Sequence, residues 1–288
     1  MVVAVLSALA AAAFFAAGAA LQHRSAGANP AFTGFHPRGV GRFMWDTLRH
    51  PSWLAGSLAD VFGLGLHALA LNQGPLTLVQ PVLVTSVVFA LPMRAWLDRR
   101  PPARNEMVMA AALAGGLILF LVAATPGSPA SSPADHGPVV VAVVAVAATM
   151  ATCAIVGHRL RGSASAVMLG AGAGISFAAT AAALKGTTDA LPHGLGALLG
   201  GWPLYLLVGA GAVGLLLNQL AFAAGPLRSS LPAITTLDPL ASLVIGVVVY
   251  DEQVRHALPA LVGAGLGLTV VVAAAVALTR SEAGATPA

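Results

Sequence analysis

Long apolar runs separated by short polar segments occupy almost the whole chain. A helix needs about 20 mostly apolar residues to cross the hydrocarbon core of a bilayer. The pattern predicts nine such helices, numbered one to nine in chain order: 2–21, 53–72, 75–97, 107–125, 138–157, 164–184, 202–223, 226–250 and 257–279. The predicted fold class is therefore an all-α, polytopic membrane protein. We expect the first run to be a retained helix, because it is longer than the apolar core of a typical signal peptide.

The segment 26–51 has a different pattern from the nine runs. It mixes aromatic side chains such as Phe43 and Trp45 with basic ones such as Arg38, Arg42 and Arg49. Aromatic rings and arginines together favour the boundary between lipid and water. The segment is therefore predicted to lie at the membrane surface and not to span it.

Composition supports lipid as the solvent and excludes several functions. Of the 288 residues 58% are hydrophobic and 8% are charged, whereas a soluble domain has roughly 25% charged residues. The net charge of +4 is spread over many loops and predicts no nucleic-acid partner. The single cysteine, Cys153, cannot form an intramolecular disulfide. No catalytic motif, metal-ligand spacing or ATP-binding loop is present, so neither an enzyme nor a cofactor is expected.

The basic residues predict the orientation in the membrane. If the N-terminus lies outside, 12 basic residues lie on the cytoplasmic side and two, Lys185 and Arg255, lie outside. The cytoplasmic set is Arg24, Arg38, Arg42, Arg49, Arg94, Arg99, Arg100, Arg104, Arg159, Arg161, Arg228 and Arg280. The positive-inside rule then places the C-terminus in the cytoplasm, and we expect the plasma membrane.

The chain contains an internal repeat with an offset of 151 residues. Segments 69–81 and 220–232 share six identities in thirteen positions, among them Gly-Pro-Leu and a later proline. Further on, Thr85 matches Thr236, and Gly116-Leu117 matches Gly267-Leu268. The repeat relates predicted helices two to four to helices seven to nine, and the topology above inverts one copy relative to the other. Inverted repeats are typical of secondary transporters.

The repeat divides the chain into a first half, 1–125, and a second half, 138–280. The first half holds helix one, the segment 26–51 and helices two to four. The second half holds helices five to nine. An external loop, 126–137, connects the halves, and 281–288 form a C-terminal tail.

The Gly-Pro-Leu repeat, the proline-bearing helices, the acidic turn Tyr250-Asp251-Glu252 and the glycine-rich last helix resemble the drug/metabolite transporter superfamily. The stretch "LVQPVLVTSVVFALPM" and the smaller number of spans in the first half are similar to its NIPA-type branch. The resemblance implies two inverted halves around a central cavity, and for that branch it implies magnesium transport. The branch has Gly-Glu-x-x-Asn where this chain reads Gly63-Leu64-Gly65-Leu66-His67, without the carboxylate and the amide.

Ionisable side chains inside the predicted helices are the first candidates for a substrate or ion pathway, because they are costly in lipid. Asp238 lies near the middle of helix eight, before Pro239. It either faces a cavity or accepts hydrogen bonds around the proline break. Asp60 in helix two either lines the pathway or pairs with a neighbouring helix. His67 shares a helix face with Asp60 and could relay protons with it, or it is a satisfied buried histidine.

Uncharged polar residues and prolines complete the predicted site. Gln80, Asn218 and Thr236 are placed on the pathway, although such residues also join helices by hydrogen bonds. Thr85, Thr235 and Thr236 are expected to bond back to their own helices. The predicted hinges are Pro81, Pro232 and Pro239. The glycine strings at 170–174 and 263–267 predict close helix packing and no nucleotide loop.

These features together predict a secondary transporter that moves a small solute or cation between the two inverted halves. A NIPA-like magnesium transporter or channel is the alternative from the same class. A non-transporting scaffold subunit of the membrane is the alternative from another class. The lipid bilayer is the expected surrounding, and a homodimer is left open.

Overall fold

The computed structural model describes residues 2–28, 37–73, 79, 82–99, 101, 103–124, 136–250 and 257–280. Over these ranges the chain is helical and contains no strand. The helices are α1 (Val2–Ala28), α2 (Pro37–Leu48), α3 (Pro51–Gln73), α4 (Ser86–Leu97), α5 (Arg104–Ala124), α6 (His136–Arg159), α7 (Gly162–Ala190), α8 (Leu195–Gly200), α9 (Trp202–Ala224), α10 (Leu227–Tyr250) and α11 (Leu258–Arg280). A single 3₁₀ turn, Leu191–His193, joins α7 to α8.

Eight of the described helices are long and apolar enough to cross a membrane: α1, α3, α5, α6, α7, α9, α10 and α11. They match eight of the nine predicted spans, which confirms an all-helical membrane protein. The predicted third span, 75–97, is not one continuous helix. Its described part has a turn at Val84–Thr85, and the 12-residue α4 begins only at Ser86. Pro75 and Pro81 lie outside the described residues. Neither can donate a backbone hydrogen bond, which disfavours an unbroken helix through this stretch.

Helix α2 lies within the segment predicted to rest on the membrane surface. Its twelve residues are too few to span a bilayer. Phe43 and Thr47 are buried against the protein, while Arg42 and Trp45 are exposed. The guanidinium of Arg49 stacks on the Trp45 ring at 3.9 Å. One inward and one outward face agree with the predicted interfacial role.

Small residues pack the helices together, and large apolar residues point outwards. On α1 the buried face is a row of alanines at every fourth position: Ala4, Ala8, Ala12, Ala16 and Ala20. Large side chains such as Val141 and Val144 on α6 are more than 60% exposed. This distribution is the reverse of a water-soluble core, and it suits helices that associate within lipid through small residues.

Both glycine strings lie in tight helix contacts, as predicted. A Cβ atom built on Gly174 of α7 would lie 2.6 Å from the carbonyl oxygen of Ile234 on α10. A Cβ atom on Gly267 of α11 would lie equally close to the carbonyl oxygen of Gly116 on α5. The backbones therefore approach so closely that glycine is required at these points.

One end of the helix bundle gathers several helix ends from both halves. His23 near the end of α1 contacts the carbonyl oxygen of Gly225, just after α9. Glu106 at the start of α5 pairs with Arg228 at the start of α10. Gly162 at the start of α7 approaches Gly225. The predicted topology places these segments on the cytoplasmic side, and we call this end the basic end.

Candidate functional site

Asp60 belongs to a hydrogen-bonded group of four side chains, which we call the bridging cluster. Gln22 of α1 donates from Nε2 to Oδ2 of Asp60 on α3, over 2.5 Å. Gln219 of α9 donates from Nε2 to Oε1 of Gln22 over 2.6 Å, and Asn218 Nδ2 lies 3.5 Å from the same oxygen. Gln22 thus connects a carboxylate of the first half to two amides of the second half.

The bridging cluster lies inside the membrane-spanning part of the molecule. Gln22 and Gln219 are at most 1% exposed, Asn218 is buried, and Asp60 is half-buried. Asp60 is nine residues into α3, which is about 13 Å along the helix axis. Polar groups packed between helices bond to one another, and these mutual hydrogen bonds fix the geometry of the bridging cluster.

Two glycines make room for the bridging cluster between α1 and α3. A Cβ atom built on Gly18 would collide with the carboxyl group of Asp60. A Cβ atom on Gly56 would lie 2.9 Å from Cγ of Gln22. The two helices can therefore approach closely enough for one amide to reach both the carboxylate and α9.

His67 lies on the same face of α3 as Asp60, as predicted, because both contact α1. Its ring meets Phe15 edge-on, with the centroids 6.3 Å apart at 87°. Nε2 of His67 is buried and has no hydrogen-bond partner among the described residues. The structure gives no hydrogen bond between His67 and Asp60, which bonds to Gln22 instead. It therefore contains no direct proton relay between the two.

Asp238 lies apart from the bridging cluster, on α10 where this helix packs against α7. Its carboxyl oxygen accepts a hydrogen bond from Ser242 Oγ, one turn along the same helix, at 3.5 Å. Its backbone nitrogen lies close to Gly174. The two acids thus occupy different helix interfaces, and no described contact joins them.

The threonines near the prolines differ from one another. Thr85 Oγ1 donates to the Val82 carbonyl at 2.6 Å, and Thr235 Oγ1 donates to the Leu231 carbonyl at 2.9 Å, as predicted. The same prediction is wrong for Thr236, whose buried Oγ1 has no partner among the described residues. Pro232 and Pro239 are buried within α10, which stays helical through both positions. Gln80 and Pro81 lie outside the described residues.

Gln22 and His23 are the site residues that the sequence did not reveal. Both follow the apolar run of helix one and precede Arg24, so they resemble the polar border of a span. In the structure α1 continues to Ala28 and keeps both side chains inside the bundle. His23 Nε2 lies 3.3 Å from the Gly225 carbonyl oxygen, to which it can donate, and the ring packs on Phe222. The sequence signal that could have found them is the lack of any Gly or Pro between residues 21 and 26, which allows the helix to continue past the apolar run.

Two acidic side chains lie within the described membrane interior. Away from the helix ends, the charged side chains described within the spans are Asp60 and Asp238. No three residues among His, Cys, Asp and Glu come together as metal ligands in the described ranges. The arrangement can attract a cation or exchange a proton, and its amides can donate to or accept from an uncharged solute.

Comparison with known proteins gives one informative relationship. The chain is 31% identical over 283 residues to uncharacterized protein Cgl0250/cg0304 of Corynebacterium glutamicum, covering 97% of this chain and 95% of that protein. No protein-family model matches the sequence, and no solved structure matches it. Because the identity extends over nearly the full length of both chains, this protein belongs to the same family as Cgl0250/cg0304 of Corynebacterium glutamicum.

Proposed function

We propose that the protein is a secondary transporter of the drug/metabolite type, which moves a small solute or cation between two inverted halves. The observation that carries this proposal is the bridging cluster. It places the Asp60 carboxylate inside the membrane segment and connects it to amides of the other half. An acid inside the membrane costs free energy, so its presence there indicates a function. Secondary transporters built from inverted repeats bind their substrate where the repeats meet.

Contacts between matched residues of the repeat support the inverted arrangement. Gly116 and Gly267 are equivalent under the offset of 151, and each is packed against the carbonyl oxygen of the other. A residue can meet its own counterpart only near a two-fold axis. The crossing of α5 and α11 is therefore the natural position of such an axis.

A second pair of contacts extends the repeat to α1. Gly63 of α3 is covered by the Phe15 ring of α1, and its equivalent Gly214 of α9 is covered by the Phe177 ring of α7. Likewise, Asp60 of α3 lies against Gly18 of α1. Its equivalent in the repeat, Gly211 of α9, lies against Thr180 of α7. These contacts support α7 as the counterpart of α1, with α6 as the additional span of the second half.

The helix directions complete this argument. In the first half, α1 and α4 end at the basic end and α5 begins there. In the second half, α7 and α10 begin at the basic end and α9 ends there. The pairs α1 with α7 and α4 with α10 thus run in opposite directions, which supports the inverted arrangement. This is the geometry in which one half can rock against the other around a fixed site.

Two described contacts join the halves at the basic end. One is the His23–Gly225 hydrogen bond, and the other is the ion pair of Glu106 with Arg228, whose side chains are 20% and 23% exposed. We expect Glu106→Gln to loosen this end, because an ion pair of this exposure contributes ~1 kcal/mol. A cysteine at position 60 should then be modified about fivefold faster by an aqueous thiol reagent.

Asp98→Asn is the matched control for Glu106→Gln. Asp98 is also an acid near this end, but it pairs with Arg94 on its own helix α4. Its removal should leave the modification rate at position 60 unchanged. Equal acceleration by both variants would show that the effect is not specific to the contact between the halves.

A thiol-accessibility experiment tests the proposed function. Cys153→Ser gives a background without cysteine. Asp60→Cys and Leu58→Cys are then compared, since Leu58 is 57% exposed on the outer surface of the same helix. A water-filled pathway predicts rapid modification of position 60 by a charged methanethiosulfonate and slow modification of position 58. A scaffold without a pathway predicts slow modification of both.

Flux measurements in proteoliposomes separate the remaining alternatives. The probes are Mg²⁺ with a trapped magnesium indicator, ethidium as an organic cation, and protons with a trapped pH dye. Flux of any probe that Asp60→Asn abolishes supports transport, and loss of magnesium flux in particular supports the NIPA-like alternative. An accessible position 60 with no flux of any probe points to an uncharged or anionic solute. Inaccessible thiols with no flux overturn the proposal.

A further inference from the structure

A cavity separate from the bridging cluster opens at the basic end, between the last turns of α1 and α4. Its volume is about 190 Å³, and its lining residues are Ala20, His23, Arg24, Arg94, Leu97 and Asp98. The cavity combines basic groups with an apolar wall. Of its lining residues, only His23 takes part in the contacts between the halves described above.

The charges around the cavity favour an anion. Arg24 is exposed and has no ion pair among the described residues. Arg94 is oriented by Asp98, whose Oδ2 lies 3.3 Å from its Nε. Because this bond uses Nε, the two terminal nitrogens of Arg94 remain as donors with respect to the described residues. His23 directs its Nε2 towards the Gly225 carbonyl. The lining thus has one more positive than negative charge, with two guanidinium groups.

The position of the cavity favours a ligand at the boundary of lipid and water. Leu97 and Ala20 form its apolar wall. Next to Leu97, Trp96 is 73% exposed, and indole rings of membrane proteins concentrate at the level of the lipid head groups. Basic pockets between membrane helices bind the head groups of anionic lipids.

We propose that this cavity binds a phosphate group, with Arg24 and Arg94 as its donors. Guanidinium groups match the geometry of phosphate oxygens, and charge-assisted hydrogen bonds of this kind are among the stronger ones in proteins. The phosphate belongs either to an anionic phospholipid, whose apolar part then contacts Leu97 and Ala20, or to a free phosphate anion.

Thermal unfolding of the full-length protein in detergent tests this site. The additions are phosphatidylglycerol, phosphatidylcholine, and sodium phosphate compared with sodium chloride at equal ionic strength. A ligand that binds the folded state raises the melting temperature. We expect a rise with phosphatidylglycerol or with phosphate, and none with phosphatidylcholine. Arg24→Gln should weaken the apparent affinity about tenfold, as expected for a lost charge-assisted hydrogen bond.

Three variants decide the outcome. Arg24→Gln and Arg94→Gln should each reduce the rise, whereas Arg161→Gln, at an exposed position outside the cavity lining, should retain it. A response to phosphatidylglycerol alone identifies a lipid head group, and a response to phosphate alone identifies the free anion. The proposal is overturned if the two cavity variants respond like the wild type. An equal response to phosphatidylcholine, or an equal loss in Arg161→Gln, would also overturn it.

Discussion

Gly267→Ala is expected to unfold a large share of the protein at temperatures where the wild type is stable. The new Cβ atom would lie 2.6 Å from both the carbonyl oxygen of Gly116 and the backbone nitrogen of Phe120. Backbone atoms cannot turn aside as a flexible side chain can, so α5 and α11 must separate. Overpacking of this kind costs about 3 kcal/mol. The measurement is thermal unfolding in detergent, followed by size-exclusion chromatography of the surviving protein.

Gly265→Ala, two residues earlier on α11, is the matched control. A Cβ atom there meets nothing within 4 Å, so the same chemical change should alter stability by less than about 0.5 kcal/mol. Gly116→Ala and Gly115→Ala repeat the comparison on α5, where the added atom is crowded at Gly116 and free at Gly115. If Gly267→Ala and Gly265→Ala unfold at the same temperature, the close crossing of α5 and α11 does not exist.

Gln22→Leu is expected to destabilise the protein and abolish transport together. The leucine fills a similar volume but removes the donor to Asp60 and the acceptor for Gln219. A hydrogen bond to a charged group contributes about 1.5–3 kcal/mol, and its loss leaves the carboxylate without its described partner. We therefore expect a loss of about 3 kcal/mol in the free energy of unfolding, measured in mixed detergent micelles.

A double-mutant cycle separates the bridging role of Gln22 from its general contribution to packing. The double variant Gln22→Leu/Asp60→Leu has no unpaired carboxylate at this site. Its loss in the free energy of unfolding should therefore be about 1–2 kcal/mol smaller than the sum of the two single losses. It should still fail to transport any probe that the wild type moves. Ser25→Ala, which removes a hydrogen bond within α1, is the control and should cost about 1 kcal/mol or less. Additive single effects would contradict the bridging role.

The sequence predicts the helices better than it predicts the site, and the reason is physical. Crossing a bilayer requires a long apolar run, so composition alone locates eight of the spans to within a few residues at most ends. The apolar pattern ends the first span at residue 21, although α1 continues to Ala28. It also extends the third span through Pro75 and Pro81, although α4 begins at Ser86. Apolar character therefore locates a span but not its breaks or its polar continuation.

The bridging cluster could not be predicted, since it depends on which helices are neighbours. Asp60 and Asn218 were candidates because polar groups inside spans are rare. Their connection depends on Gln22, which no rule about intramembrane polarity selects at the end of a helix. Likewise, the sequence offers both Asp238 and Asp60 as candidates without deciding whether they face one cavity, and in the structure they lie at different helix interfaces.

The chain of side-chain amides leading away from Asp60 has a direction. In the structure Gln22 donates from Nε2 to the Asp60 carboxyl group, and Gln219 donates from Nε2 to Oε1 of Gln22. This order leaves Oε1 of Gln219 buried without a described partner. Turning the amides of Gln22, Gln219 and Asn218 end for end would present an oxygen to Asp60, and it would let Gln22 donate to the oxygens of Gln219 and Asn218. The reversed order matches a neutral carboxylic acid, which donates a proton, whereas the present order matches a carboxylate. We therefore expect the charge on a single acid in one half to set the hydrogen-bond polarity of a side chain in the other.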